Sequence, residues 1–164
     1  MRSQGKRVRP RPGDVILIPL RDGYYGFGRV LDRAIVAFYD LRLGEVPEID
    51  VILAAPVVFK IRVMEKAIAV GAWPVLDNRA LEPCLLAPPR FFTQDIVTGE
   101  CRIYHCGVER PASLSEIQGL ECAAMWEPHH VEERLRDHFA GIPNATCEAL
   151  KPTAVAAASC GRRA

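Results

Sequence analysis

The sequence predicts a mainly β domain: a strongly bent antiparallel sheet or a partly open small barrel, beginning with a three-strand meander and carrying one C-terminal helix. Three observations point there. Pro12–Asp40 reads PGDVILIPLRDGYYGFGRVLDRAIVAFYD, three apolar runs of strand length separated by turn residues. Gly26 and Gly28 flank Phe27 inside the middle run, where a missing Cβ permits a bulge or a sharp bend. Pro128–Ala140 carries the apolar spacing and the end signals of a helix. The alternative is an evenly mixed α+β domain in which Met64–Ala72 and Glu109–Leu120 are helical.

The elements follow in order. Met1–Arg11 is a flexible basic arm. Val15–Leu20 is apolar and β-branched, with Pro19 near its end, where a missing N–H is tolerated at an edge or bulge. Arg21, Asp22 and Gly23 supply a hairpin turn, Asp-Gly being the strongest short signal for one. Tyr24–Leu31 is the second strand, Asp32-Arg33 the second turn, and Ala34–Tyr39 the third strand, closed by Asp40. Leu41–Asp50 is a polar connection. Pro56–Val63 alternates, with Phe59, Ile61 and Val63 on one face. Trp73-Pro74-Val75-Leu76 is extended, because a residue before proline is pushed out of the helical region. Pro83–Pro89 is loop-like. Arg90–Val97 and Glu100–Cys106 form a hairpin around Thr98-Gly99, and Glu121–Trp126 is a last strand.

In Pro128–Ala140, Pro128 suits the first turn, Glu132 and Glu133 favour its positive end, and Gly141 with Pro143 stops it. Val131, Leu135 and Phe139 recur every four residues and face the core. Beyond Asn144 the composition falls to Ala, Thr, Ser and Lys, which have little to bury. The expected organisation is an arm over residues 1–11, one β-rich domain over 12–143 and a disordered tail over 144–164.

The formal net charge of +1 in 164 residues hides an asymmetry. The first twelve residues hold five bases and the last fourteen hold three, with no acid in either. Taking those eight from 21 bases leaves 13 against 20 acids, a net of −7 over residues 13–150. An acidic body repels nucleic acid and attracts basic proteins. No signal-peptide pattern and no run near the length of a membrane helix is present, so the expected compartment is the cytoplasm. The six cysteines are then expected as reduced thiols.

Little in the sequence assembles a catalytic centre. Cys101, His105 and Cys106 resemble a fragment of a metal site, but strand alternation separates Cys106 from the other two. His130, Arg134 and His138 share a helix face, which reads as solvated. Asp14, Asp22, Asp32 and Asp40 sit at strand ends and turns, where turn formation is their ordinary role. Gly23, Gly26 and Gly28 lack the helix and the Lys-Ser/Thr that complete a phosphate loop. No catalytic residue, metal ligand or cofactor is assigned. The aromatics are more telling. Tyr24 and Tyr25 are adjacent, so alternation cannot bury both on one side, and an exposed tyrosine can stack on a base or anchor a protein interface.

Gly13-Asp14-Val15, Ile18-Pro19-Leu20, Asp22-Gly23-Tyr24, Tyr25-Gly26-Phe27-Gly28-Arg29-Val30 and Phe38-Tyr39-Asp40 together resemble the Immunity protein 26 family of bacterial polymorphic toxin systems. Val58-Phe59-Lys60 and Gly71-Ala72-Trp73-Pro74 are similar to that family's second block, so the resemblance covers residues 12–80. It implies a non-enzymatic inhibitor that binds a cognate toxin protein, and it hands over no catalytic residues. The charge favours a basic toxin. The expected anchors are Tyr24, Tyr25 and Trp73, with Asp22 and Asp40 at the rim. Two rivals are a small-barrel nucleic-acid binder using the basic arm and the tyrosines, and a hydrolase using strand-end carboxylates or Cys101 with His105.

Overall fold

A computed structural model describes residues 8–154. Residues 1–7 of the expected arm and 155–164 of the expected tail lie outside the described residues. The elements in chain order are β1 (Asp14–Pro19), β2 (Tyr25–Asp32), β3 (Ile35–Tyr39), α1 (Ile49–Ala54), β4 (Val57–Val63), α2 (Lys66–Ala69), β5 (Val75–Asn78) and α3 (Pro83–Leu86). There follow β6 (Phe91–Gln94), β7 (Cys101–His105), β8 (Val108–Ala112), α4 (Leu114–Ile117), β9 (Glu121–Cys122), β10 (Met125–Trp126), α5 (Pro128–Ala140) and α6 (Ala145–Ala149). The chain forms two compact units: the described part of Met1–Pro89 with Ala124–Ala149, and Arg90–Ala123 with the described part of Leu150–Ala164.

The first unit is built on a six-stranded sheet in the order β10-β4-β3-β2-β1-β5. The N-terminal meander is present as the sequence predicts, with β1–β2 and β2–β3 antiparallel. β10 adds to β4 in parallel, so the sheet is mixed. Its two edge strands do not meet. The expected barrel or strongly bent sheet gives way to an open sheet in an α+β fold.

The reason lies in what the glycines do. Gly26 and Gly28 pair in regular register with Ile18 and Ile16, and the register shifts fall elsewhere, at Val15/Ile16, Val30/Asp32 and Phe38/Tyr39. A Cβ on Gly26 would lie 3.1 Å from Leu135 Cδ1, and one on Gly28 would lie 3.1 Å from both Ile16 Cγ1 and Val36 Cγ1. The glycines therefore make room for close packing on a regularly paired stretch of sheet and mark no bulge.

That packing explains the unbroken apolar runs. A strand buried on both faces needs apolar residues at successive positions. On one face Val15, Leu17, Phe27 and Tyr39 pack with Ile52 of α1. On the other, Leu135 of α5 seats over Gly26, and Phe38 meets the Trp73 ring edge-on at 6.3 Å. β4 shows the predicted alternation, with Phe59, Ile61 and Val63 buried. Arg29 is fully buried, and its Nη2 donates to the Arg79 and Ala80 carbonyls at 2.8 and 2.7 Å. It thereby ties the β5–α3 loop to the sheet. Burial pushes the Tyr39 hydroxyl above its ordinary pKa, with the Arg29 charge opposing the rise.

α5 has the boundaries the sequence predicts. Pro128 opens it, Gly141 closes it at φ 69°, and Val131 and Leu135 are fully buried. α6 occupies the first residues of the segment expected to lack order. Asn144 explains it: Oδ1 accepts from the Cys147 N–H at 3.0 Å, and Nδ2 donates to Asp137 Oδ2 of α5 at 2.7 Å.

The second unit carries a four-stranded sheet in the order β8-β7-β6-β9. The predicted hairpin is β6–β7, and Asp95 accepts from the Val97 and Thr98 N–H groups in its turn. Phe92, Cys101 and Ile103 pack on Ile117 of α4, whose first turn is fixed by a capping box between Ser113 and Glu116. The single strand expected over Glu121–Trp126 is two: β9 pairs with β6, and β10 with β4. No helix among the described residues is long and apolar enough to cross a membrane.

Candidate partner-binding face

The β1–β2 turn builds the exposed end of the meander. Arg21 and Gly23 take positive φ of 63° and 82°, and Asp22 Oδ1 accepts from the Tyr24 N–H at 3.1 Å. This pushes Tyr24 outward, where it is 41% exposed. Arg42, from the connection after β3, reaches back across the turn. Its guanidinium carbon lies 3.7 Å from the Tyr24 ring centroid, and its Nη2 bonds Asp22 Oδ2 at 2.9 Å. The Arg42 hydrogen bond lowers the pKa of the Asp22 carboxyl, and the Tyr24 N–H adds to the effect.

Tyr25 points the other way. It is half-buried against the Val15–Phe27–Tyr39 cluster, and its backbone exchanges hydrogen bonds with Leu43 at 2.8 and 3.1 Å. It holds the Arg42 connection against the sheet. Asp40 is exposed at the end of β3, and its Oδ1 lies 2.9 Å from His138 Nε2 on α5. Arg136, two residues earlier, donates to the Leu20 carbonyl at 3.2 Å. Asp22, Arg42, Arg136, Asp137 and Phe139 line a hollow of about 220 Å3. A neighbouring hollow of about 200 Å3 runs under Arg134 and His138 to Val58 and Phe59.

Trp73 does not belong to this face. It is 1% exposed, stands edge-on to Phe38, and its indole Nε1 donates to Glu132 Oε1 at 3.0 Å. An anchor must reach its partner, so the expectation that Trp73 anchors a toxin is corrected: α5 covers it. The expected rim acids are exposed, but each already has a side-chain partner, the Arg42 guanidinium for Asp22 and the His138 ring for Asp40.

Arg42 and Arg136 escaped the sequence reading, and His138 entered it only as part of a solvated helix face. Their partners stand 20, 116 and 98 residues away in the chain, so no local pattern announces them. Cys101 is buried, while His105 and Cys106 are exposed. Among the described residues no group of three His, Cys, Asp or Glu is placed to hold a metal ion.

The family model of Immunity protein 26 matches residues 11–101, more than half of the chain, and the chain belongs to that family. Membership implies an immunity protein, one that neutralises a toxin. No curated protein matches the chain, and no solved structure does.

Proposed function

We propose that this protein neutralises its cognate toxin by direct, stoichiometric binding in the cytoplasm of the producing cell, with no catalysis of its own. The binding face is the exposed end of the meander with the adjoining side of α5. One observation carries this reading: Tyr24, an exposed aromatic, is held rigid by the Arg42 stack and the Asp22 turn. A large side chain fixed in advance loses little entropy on binding, which is how interface anchors gain their weight.

Tyr24 is the anchor, Asp22 and Asp40 flank it, and Tyr25 supports it from below. Arg42 is the residue added to that set. The body's net charge of −7 favours a basic toxin and raises its rate of encounter. The test is to express the products of the neighbouring reading frames with and without this protein, then titrate the toxic one calorimetrically. Rescue with one-to-one binding that weakens in Tyr24→Ala supports the reading. Rescue without contact overturns it.

A further inference from the structure

A concavity on the first unit's sheet lies between α1, β4 and α3. Its volume is about 520 Å3, and its walls include Tyr39, Val57, Phe59, Leu85, Lys60 and Glu82. A cavity of this size with mostly apolar walls and a few polar groups suits one amphipathic guest. Val58 and Phe59 border both it and the hollow under His138, so the two share a wall.

Its polar groups are unevenly satisfied. Arg29 Nη1 and Glu82 Oε1 form an ion pair at 3.7 Å, longer than a hydrogen bond, so Glu82 Oε2 is the free oxygen of that carboxylate. Arg29 Nε and Nη1 and Glu82 Oε2 are buried and find no hydrogen-bond partner among the described residues. Buried polar atoms are ordinarily paired, so Glu82 Oε2 can accept a further donor. Their positions differ. Glu82 lines the cavity, whereas Arg29 is fully covered behind it. Lys60 is turned to the Cys84 carbonyl at 3.5 Å. The Glu82 carboxylate therefore stands on the cavity wall with the Lys60 ammonium directed to a carbonyl beside it.

We infer that this cavity receives an arginine or lysine side chain of the toxin. Its aliphatic stem lies on Val57, Phe59 and Leu85, and its charged head donates to the Glu82 carboxylate. Basic side chains bury their stems and keep their heads on a polar partner in this way. The inference rests on the binding reading above and specifies the toxin group that the cavity takes.

The test has two arms. In the first, n-butylguanidinium is titrated into isotope-labelled protein alone, with butanoate as the charge-reversed probe. The expected result is amide shifts at Val57–Lys60 and Glu82–Leu85 with the cation only, abolished in Glu82→Gln. Shifts with butanoate, or none with n-butylguanidinium, overturn it. In the second, the toxin is titrated into Glu82→Gln and Cys84→Trp, the latter placing bulk at an exposed wall position. Both variants are expected to raise Kd about tenfold or more. Cys84→Trp leaves the Arg29 side untouched, so it decides the matter if Glu82→Gln lowers stability. Wild-type Kd in both variants overturns the cavity inference and leaves direct binding standing. No toxin contact by the wild type overturns both.

Discussion

Tyr24 and Trp73 are both large aromatics beside a turn of the same unit, and their surroundings are opposite. Tyr24 lies under an exposed arginine and faces outward; Trp73 lies under α5 and faces the core. Type and local position do not separate them. What separates them is a helix more than fifty residues downstream of Trp73, which delivers Glu132 to its indole and Leu135 to the sheet beside it. One aromatic is then a stability residue and the other the proposed recognition residue, and mutation should divide them cleanly.

The largest effect belongs to the buried side. Trp73→Ala should cost about 3–5 kcal/mol of unfolding free energy in denaturant titrations, because it opens a core cavity and removes the indole donor from Glu132. A cost near zero would mean that the tryptophan is not packed as described. Arg29→Ala comes next. It orphans the Arg79 and Ala80 carbonyls and should cost about 2–4 kcal/mol, with the β5–α3 loop losing hydrogen-exchange protection first. On the exposed side, Tyr24→Ala should change stability by no more than about 0.5 kcal/mol while raising the toxin Kd about tenfold or more. If instead it unfolds the protein and spares the affinity, the division between the two aromatics fails.

The smallest effect is a pH dependence. Pairing lowers the Asp22 pKa below the ordinary value of 3.8, so its stabilising contribution is present above that pH. It should fade as pH falls through the lowered folded value. Wild type should therefore exceed Asp22→Asn in thermal stability at neutral pH and converge with it in strong acid. Equal stability at every pH would show that the Arg42 pairing contributes nothing to the turn.

The sequence made local features legible. Asp22-Gly23 marks the first turn of the meander, Asp32-Arg33 falls one residue short of the second at Arg33-Ala34, the alternation in β4 marks its buried face, and Pro128 with Gly141 marks the ends of α5. Each of those signals acts over a few residues. What it hid is long-range. Gly26 and Gly28 read as bends, yet their spacing answers to Leu135, Ile16 and Val36 packed against them. Glu121–Trp126 reads as one strand because nothing local shows that its halves pair with β6 and β4. The candidate face was half visible: Tyr24, Asp22 and Asp40 stand on turns, while Arg42 and His138 reach them only through the fold.

Hydrogen exchange on the toxin complex tests the central claim most directly, because it locates contact without mutation. The account predicts added protection at Asp22–Tyr25, Arg42–Leu43 and the His138 turn of α5. Protection confined to the β6–β8 sheet, or none at all in a neutralised mixture, would contradict it.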